Sequence, residues 1–171
     1  LPAYIANCSP LFVTKINLLA IPVDLGKKFR GKRIFGSHKT YRGLFIATLS
    51  GILVFLLQVW LFNYDSFQRM SIINYDLFFQ RYNILPGFLL GFGAIIGDLI
   101  KSFFKRQLNV KPGDRWFPWD QIDFMIGSLL FFSFISILKW QAYVVIVIAT
   151  PIIHITSNYL GYYLKIKKVK W

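Results

Sequence analysis

Residues 43–62 read GLFIATLSGILVFLLQVWLF, a run of 20 residues without a charged side chain. At about 1.5 Å of rise per residue, a helix of this length is about 30 Å long, which matches the hydrocarbon core of a bilayer. The stretch therefore predicts a membrane-spanning helix. It also argues against an ordinary soluble domain, because apolar runs in soluble cores are usually shorter.

The composition of the whole chain agrees with a membrane protein. Hydrophobic residues make up 56% of the 171 residues, against roughly 45–50% in soluble domains, and the mean hydropathy is +0.51. The formal net charge is +13, but this hydrophobicity excludes a basic disordered tail. The single cysteine, Cys8, has no partner for an intrachain disulfide and no spacing typical of a zinc site.

We predict an all-α, multi-spanning transmembrane protein that forms one domain over residues 1–171, with about five spanning helices. The predicted segments are a first helix ending near residues 8–10, then residues 43–62, 82–100, 124–138 and 140–164, with a tight turn at Lys139. Residues 16–23 are too short to span and are expected to form a re-entrant or interfacial piece, or the end of a helix kinked at Pro10. Totals of four and six spans are the alternatives.

Lys and Arg are distributed unevenly among the connections. Residues 27–42, 101–115 and 165–170 together hold 16 of them, whereas residues 63–81 and Lys139 hold three. Under the positive-inside rule, the three basic segments face the cytoplasm. Contact with anionic lipid is a second explanation of the same charges, and residues 165–170 are expected to be a surface anchor. Neither explanation accounts for the positions of the acids, all seven of which are Asp.

Three of these acids lie where two predicted helices approach the basic segment 101–115. Asp98 is placed in the last turn of one span, and Asp120 and Asp123 open the next. A carboxylate within a span costs about 2.5–3.5 kcal/mol on insertion and usually marks a functional site. Helix capping is the alternative for Asp120 and Asp123, which share a helix face at i and i+3. It does not fit Asp98, because an acid near a helix C-terminus opposes the dipole.

Basic residues surround these carboxylates, and the combination is typical of phosphate chemistry. Carboxylate oxygens without His or Cys nearby favour Mg²⁺, which is commonly held by one or two carboxylates and by substrate phosphates. Lys and Arg beside such a metal suit a polyphosphate. The cluster therefore predicts a phosphoryl- or nucleotidyl-transfer site. Its basic members are Lys101, Lys105, Arg106, Lys111 and Arg115.

A second half-site is predicted in the first basic loop. Lys39, Thr40 and Arg42 lead directly into the span at residues 43–62, where free backbone N–H groups and the helix dipole favour an anion. We expect these three side chains to hold phosphate oxygens. Neither a Walker A nor a GxGxxG pattern is present, so a soluble type of nucleotide-binding loop is not expected. A basic loop resting on anionic lipid is the alternative.

Two GxxxG spacings, Gly87/Gly91 and Gly93/Gly97, fall in the predicted span 82–100. Such spacings most often mark a close contact between helices. The alternative is a glycine-lined groove that accepts a methyl-branched lipid chain.

The two charged stretches together resemble a known family. Gly97-Asp98 with Lys105-Arg106 and Lys111, closed by Asp120-Gln121-Ile122-Asp123, resembles the signature of the CDP-diacylglycerol synthase (phosphatidate cytidylyltransferase) superfamily. The first basic loop, with PVDLGK at residues 22–27 and RIFGSHKTYRG at residues 33–43, is closer to the short branch, the CDP-archaeol synthases. That branch consists of five-helix membrane enzymes of about this length, so the resemblance covers nearly the whole chain.

This resemblance implies transfer of CMP from CTP to the phosphate of a glycerol ether lipid, with Mg²⁺ as cofactor and pyrophosphate as product. Asp98, Asp120 and Asp123 match the acidic metal-binding positions of the superfamily, and its basic positions are matched by Lys105, Arg106 and Lys111. The bacterial diacyl branch has a Gly-His-Gly-Gly element and an Arg after the first closing Asp. Here those places read WFPW, residues 116–119, and Gln121, which argues against the ordinary diacyl enzyme.

The resulting hypothesis is a cytidylyltransferase of the cell membrane whose site faces the cytoplasm, with CTP, a lipid phosphate and the bilayer as partners. No nucleic-acid partner is expected, and a homodimer is left open. The catalytic candidates are Asp98, Asp120, Asp123, Lys105 and Lys111, and the three aspartates are also the metal-binding candidates. The substrate-binding candidates are Lys39, Thr40, Arg42, Lys101, Arg106 and Asp114.

Three other functions compete with this hypothesis. A CDP-diacylglycerol synthase would use the same site on phosphatidic acid, and we expect a geranylgeranyl ether lipid phosphate to be preferred over saturated phosphatidic acid. A small cation transporter or channel would use the Asp cluster to bind the transported ion. A membrane scaffold would have no catalytic activity. A CDP-alcohol phosphotransferase is disfavoured, because its Asp-Gly-x-x-Ala-Arg pattern is absent.

Overall fold

The computed structural model describes residues 1–14, 16–71, 73–111 and 114–163, and most of these residues are helical. The predicted anchor at residues 165–170 lies outside the described residues, as does residue 164. The elements in chain order are α1 (Pro2–Cys8), a 3₁₀ turn (Ser9–Leu11), β1 (Lys28–Phe29), β2 (Lys32–Arg33), α2 (Tyr41–Leu61), α3 (Asp65–Met70), α4 (Tyr75–Tyr82), α5 (Leu85–Gln107), α6 (Trp119–Phe132) and α7 (Trp140–Tyr163).

Within the described residues, three helices are long and apolar enough to cross a membrane. These are α2, α5 and the Trp140–Leu160 part of α7, with 21, 23 and 21 residues. Helices α1 and α6 have 7 and 14 residues, which is below the ~20 that a full span needs. The protein is therefore a helical membrane protein, and the count of five spans stays a prediction.

Two predicted helices have different bounds in the structure. Helix α5 continues to Gln107, so Asp98 lies in the middle of a helix and its predicted position in a last turn is wrong. The charged residues that follow Asp98 do not end the helix, because ion pairs neutralise them. Helix α7 begins at Trp140 as predicted.

Helix α6 ends at Phe132, and its predicted extension to residue 138 is wrong. An uncharged sequence does not show where a helix stops. Side chains here satisfy backbone groups that the helix would otherwise have paired: Tyr82 donates to the Ile135 carbonyl oxygen at 3.0 Å, and the Leu138 N–H donates to the Tyr143 hydroxyl at 3.3 Å.

Residues 16–23 are not helical, which excludes the kinked-helix alternative for this segment. The segment ends where Pro22 forms a β-bridge with Thr40. This bridge closes the first basic loop at its base, directly beside the start of α2. Thr40 is also the N-cap of α2, since its hydroxyl oxygen accepts a hydrogen bond from the Gly43 N–H at 3.2 Å.

Glycines set how closely the long helices pack. A Cβ added to Gly91 of α5 would lie 2.9 Å from the Ala47 carbonyl oxygen and 3.0 Å from the Gly51 Cα of α2. One added to Gly97 would lie 2.1 Å from the Asp123 carbonyl oxygen of α6. Backbone therefore fills the space beside these glycines. The predicted helix contact is confirmed, and the alternative of a glycine-lined lipid groove is wrong.

Small side chains continue this close packing into the core. The buried cluster contains Ala3 and Ala6 of α1, Ala47 of α2, Ala94 of α5 and Phe124 of α6. Short α1 is thereby held against three other helices, which brings the 3₁₀ turn to the start of α2.

Gly97→Ala should destabilise the protein, because its Cβ would meet the backbone of α6 rather than a movable side chain. We expect the free energy of unfolding to fall by at least about 1–3 kcal/mol, measured as thermal unfolding in detergent. The matched control is Gly43→Ala in α2, whose Cβ would meet nothing closer than 3.6 Å. That variant should unfold at the same temperature as the wild type or higher, because Ala is the better helix former. Equal effects of the two changes would contradict the packing argument.

Candidate functional site

The ammonium group of Lys101 lies between three carboxylates. Its Nζ is 3.1 Å from Asp98 Oδ1, 3.4 Å from Asp120 Oδ1 and 2.9 Å from Asp123 Oδ2. Asp98 and Asp123 are 7% exposed each, so little water screens these contacts. Three acids from two helices therefore share one cation. We call these four residues the Asp–Lys cluster.

Helix geometry explains why the cluster forms. Asp98, Lys101 and Lys105 are spaced at i, i+3 and i+7 along α5, and Asp120 and Asp123 at i and i+3 along α6, so each set lies on one helix face. The two faces approach closely because α5 and α6 meet at Gly97 and Gly127.

Two further lysines extend the cluster. Lys105 is buried, and its Nζ donates to both Asp120 carboxylate oxygens at 3.1 Å and to the Asp114 carbonyl oxygen at 2.6 Å. On the other side, the Lys39 Nζ of the first basic loop pairs with Asp98 Oδ2. Asp120 Oδ2 also accepts a hydrogen bond from the Trp116 N–H at 2.7 Å. The cluster thus ties both basic loops to the helices.

The first basic loop is organised around Asp24, whose side chain has no solvent exposure. Its carboxylate accepts hydrogen bonds from Arg33 Nη2 at 2.6 Å and from the N–H groups of Gly26, Phe35 and Gly36 at 3.0, 3.2 and 3.0 Å. Burial raises the pKa of Asp24, but these hydrogen bonds outweigh it and lower the pKa to about 2. The loop is therefore held by a permanently charged carboxylate at neutral pH.

A cavity of about 600 Å³ opens beside this loop. We call it the amphipathic cavity, because one part of its wall is polar and the other apolar. The polar lining includes Ser37, His38, Lys39, Thr40, Arg42 and Asp98, and the apolar lining includes Pro10, Leu11, Leu44, Ile95 and Leu99. Such a lining suits a molecule with a phosphate at one end and hydrocarbon at the other.

A second cavity, of about 220 Å³, has four Lys and Arg side chains among its ten lining residues, and we call it the basic cavity. Lys101, Lys105 and Arg106 line it, together with Ser102 and Asp120. Ser37, His38 and Lys39 line both cavities. The two cavities therefore meet near the base of the first basic loop, where Lys39 pairs with Asp98.

The structure brings most of the predicted site residues together. The three aspartates with Lys101 and Lys105 form one charged network, while Thr40, Arg42 and Arg106 line the cavities beside it. Lys111 and Asp114 are exposed and line neither cavity. Asp114 contributes its backbone carbonyl to Lys105 instead of its side chain.

Sequence reasoning missed two roles. Lys101 was predicted to bind substrate, whereas the structure places it at the centre of the three carboxylates. Asp24 received no role, although it organises the loop. A signal for Asp24 was present, because an Asp two residues before a Gly is typical of an Asx-turn, and Asp24 Oδ1 does accept from the Gly26 N–H.

No group of three or more His, Cys, Asp or Glu side chains within the described ranges forms a ready-made metal site. The Asp–Lys cluster explains this, because the Lys101 ammonium separates the three carboxylates. Asp123 Oδ2 is buried, and its partner is the Lys101 ammonium at 2.9 Å. A cation that took the place of this ammonium would meet the same oxygen.

The family model and the similar proteins of known name agree with one another. The whole chain, residues 1–171, matches the protein family described as CarS-like, CDP-archaeol synthase. The CDP-archaeol synthase of Methanocaldococcus jannaschii is 36% identical over 172 residues, covering 100% of this chain and 93% of that protein. That of Methanoculleus marisnigri is 35% identical over 178 residues and covers 100% and 99%.

A solved structure also resembles this fold. It is described as an intramembrane enzyme for archaeal membrane lipids biosynthesis, and it aligns with a TM-score of 0.71 at 25% identity, covering 92% of this chain and 88% of that one.

Asp24→Asn should loosen the first basic loop, because it removes a charge that accepts four hydrogen bonds. Hydrogen bonds to a charged group contribute about 1.5–3 kcal/mol each, so trypsin should cleave at the exposed Lys27 and Lys28 at least about 10-fold faster. Asp65→Asn, an exposed Asp of α3, is the matched control.

The same carboxylate predicts the pH dependence of the loop. Because the pKa of Asp24 is lowered to about 2, its stabilising charge is present at every pH above about 4 and is lost only as the pH falls toward 2. Protection of the wild-type loop should therefore be constant from about pH 6 to 9, after correction for the activity of trypsin itself. A titration of this protection within that range would contradict the assignment.

Proposed function

The chain belongs to the CDP-archaeol synthase family, and we propose that its Asp–Lys cluster and two cavities form the site that transfers CMP from CTP to a glycerol ether lipid phosphate. The products are a CDP-archaeol with unsaturated chains and pyrophosphate. The observation that carries this assignment is the junction of the two cavities. There a wall of Lys and Arg meets an amphipathic pocket beside three carboxylates.

The two cavities suit the two substrates. We assign the lipid phosphate to the amphipathic cavity, where Lys39 and Arg42 lie close to apolar residues. The triphosphate of CTP is assigned to the basic cavity along Lys101, Lys105 and Arg106. Residues 37–39 of the first basic loop, which line both cavities, would then hold the two reacting phosphates next to each other.

The reaction needs no nucleophilic side chain. A lipid phosphate oxygen attacks the α-phosphorus of CTP, a new P–O bond forms, and the bond to the β-phosphate bridging oxygen breaks to release pyrophosphate. Lys105 and Arg106 are placed to stabilise the charge on the leaving pyrophosphate. Lys39 is placed to orient the attacking phosphate, because it lines both cavities.

The cluster fits a magnesium ion, although this requires a rearrangement. Three carboxylates already share one cation, the Lys101 ammonium, at 2.9–3.4 Å. Mg²⁺ prefers carboxylate oxygens as ligands, and it would replace the Lys101 ammonium as the cation that these carboxylates share. The bound ion would neutralise the triphosphate. Asp98, Asp120 and Asp123 are the residues that would hold it.

The distribution of positive charge supports a cytoplasmic site. The first basic loop and the segment after α5 lie at the same end of the molecule as the cluster. The positive-inside rule places that end in the cytoplasm, where CTP is available. The described contacts of the site do not require a homodimer.

The function predicts a specific product. Purified protein in detergent, given Mg²⁺, labelled CTP and a panel of lipid phosphates, should form a labelled CDP-lipid. It should prefer 2,3-di-O-geranylgeranylglyceryl phosphate to saturated phosphatidic acid, and ATP should not replace CTP. Chain type is read by apolar contacts that discriminate by only ~1–3 kcal/mol per group, so a graded preference is expected. A reversed ranking would assign the protein to the diacyl substrate.

Replacement of any cluster aspartate by Asn should lower kcat/KM at least about 100-fold, equivalent to about 2.7 kcal/mol of transition-state stabilisation. Magnesium binding, measured by calorimetry with a non-reactive CTP analogue, should weaken in parallel. Asp65→Asn and Asp76→Asn are matched controls, because these residues lie in the short helices α3 and α4, away from the cluster. Near-normal turnover of Asp123→Asn at limiting Mg²⁺ would reassign that residue as structural.

A further inference from the structure

A separate apolar groove runs along the outer side of the α2–α5 pair. Its volume is about 350 Å³, and it is lined by Leu44, Phe45, Thr48, Leu49 and Ile52 of α2 and by Phe88 and Phe92 of α5. We call it the α2–α5 groove. None of the proposed steps of the reaction uses it.

The groove results from the close crossing of its two helices. Gly51 of α2 lies against Gly87 and Gly91 of α5, so the helix backbones touch and larger side chains must diverge on either side. Phe88 and Phe92 stack with ring centroids 5.4 Å apart and form one wall. The Thr48 hydroxyl donates to the Leu44 carbonyl oxygen at 2.9 Å, so it does not oppose an apolar occupant.

The groove adjoins the amphipathic cavity at Leu44, which lines both. Leu44 lies in the first turn of α2, directly after Lys39, Thr40 and Arg42 in the chain. A lipid whose phosphate contacted these polar residues would have the entrance of the groove within reach of its hydrocarbon. From there the groove continues along α2 to Ile52, which is eight residues and about 12 Å further.

We propose that the α2–α5 groove binds one hydrocarbon chain of the lipid phosphate substrate, next to its headgroup. This inference rests on the proposed function, because it takes the phosphate position from the amphipathic cavity. About 12 Å of groove covers only the first part of a long chain, and the remainder lies in the bilayer. Affinity should thus rise with chain length and then level off.

The other large apolar cavity does not meet this requirement. It has a volume of about 520 Å³ and is lined by residues such as Phe55, Tyr75, Met125 and Ile146. None of its lining residues also lines the amphipathic cavity. Phe55 and Gln58 place it toward the far end of α2 from Thr40. A chain attached to a phosphate at Lys39 would therefore enter the α2–α5 groove first.

The test is to fill the groove with Thr48→Trp and to compare two lipid phosphates. One carries geranylgeranyl chains, and the other has the same headgroup and short, water-soluble chains. We expect kcat/KM for the long-chain substrate to fall at least about 10-fold. For the short-chain substrate it should change less than about 3-fold, with KM for CTP unchanged. Leu53→Trp is the matched control, because Leu53 is 57% exposed on α2 and does not line the groove.

The outcomes separate this inference from the proposed function. Equal losses for both substrates, no loss for the long-chain substrate, or an equal loss in Leu53→Trp would overturn the groove assignment. Failure of the wild type to convert either lipid would instead overturn the proposed function. If Thr48→Trp does not fold, Phe88→Ala removes part of the groove wall and should selectively weaken use of the long-chain substrate. An equal effect of Phe88→Ala on both lipids would count against the groove.

Discussion

The contact between Gly97 of α5 and the α6 backbone is the constraint on which the site depends. Without a Cβ at this position the two helices lie close enough for charges on their facing sides to meet at about 3 Å. Buried carboxylates are costly unless they are paired. The Asp–Lys cluster offsets that cost by placing one ammonium between three acids. Lys39 pairs in addition with Asp98, and Lys105 with Asp120. Packing and electrostatics therefore specify the same arrangement, and a change in either affects both.

The same network fixes the first basic loop and the segment between α5 and α6. Lys39 binds the first loop to α5 and Lys105 binds the second loop to α6. Lys32 of β2 adds another connection, since its ammonium donates to the Gln107 carbonyl oxygen at 2.6 Å. Asp24 then determines the shape of the first loop from within. Substrate-binding groups are thus attached to rigid helices, as accurate positioning of two phosphates requires.

Much of this arrangement could be predicted from the sequence. Uncharged runs identified α2 and the start of α7. The motif around Asp98 and Asp120 indicated the superfamily and the first basic loop indicated its CDP-archaeol synthase branch, which the comparisons confirm. The predicted end of α5 at residue 100 is wrong. The charged residues Lys101 and Lys105 are ion-paired, so the helix continues to Gln107. Hydropathy also cannot show which residues a glycine faces. The GxxxG spacings therefore left two alternatives, of which the close helix contact is confirmed and the glycine-lined lipid groove is wrong. Roles such as those of Lys101 and Asp24 depend on contacts between distant segments, and local patterns do not contain that information.

The i, i+3 spacing of Asp98 and Lys101 also bears on how the protein enters the membrane. These residues lie 3.1 Å apart on one helix, so they can pair as soon as α5 forms, before α6 has been synthesised. A lone acid or base costs up to about 2.5–3.5 kcal/mol on the scale of the insertion machinery, the full value applying at the centre of a span and less toward its end. The internal pair offsets part of that cost for α5 during its insertion. Lys101 thus serves first as the counter-ion of Asp98 within α5, and it pairs with Asp120 and Asp123 once α6 has packed against α5.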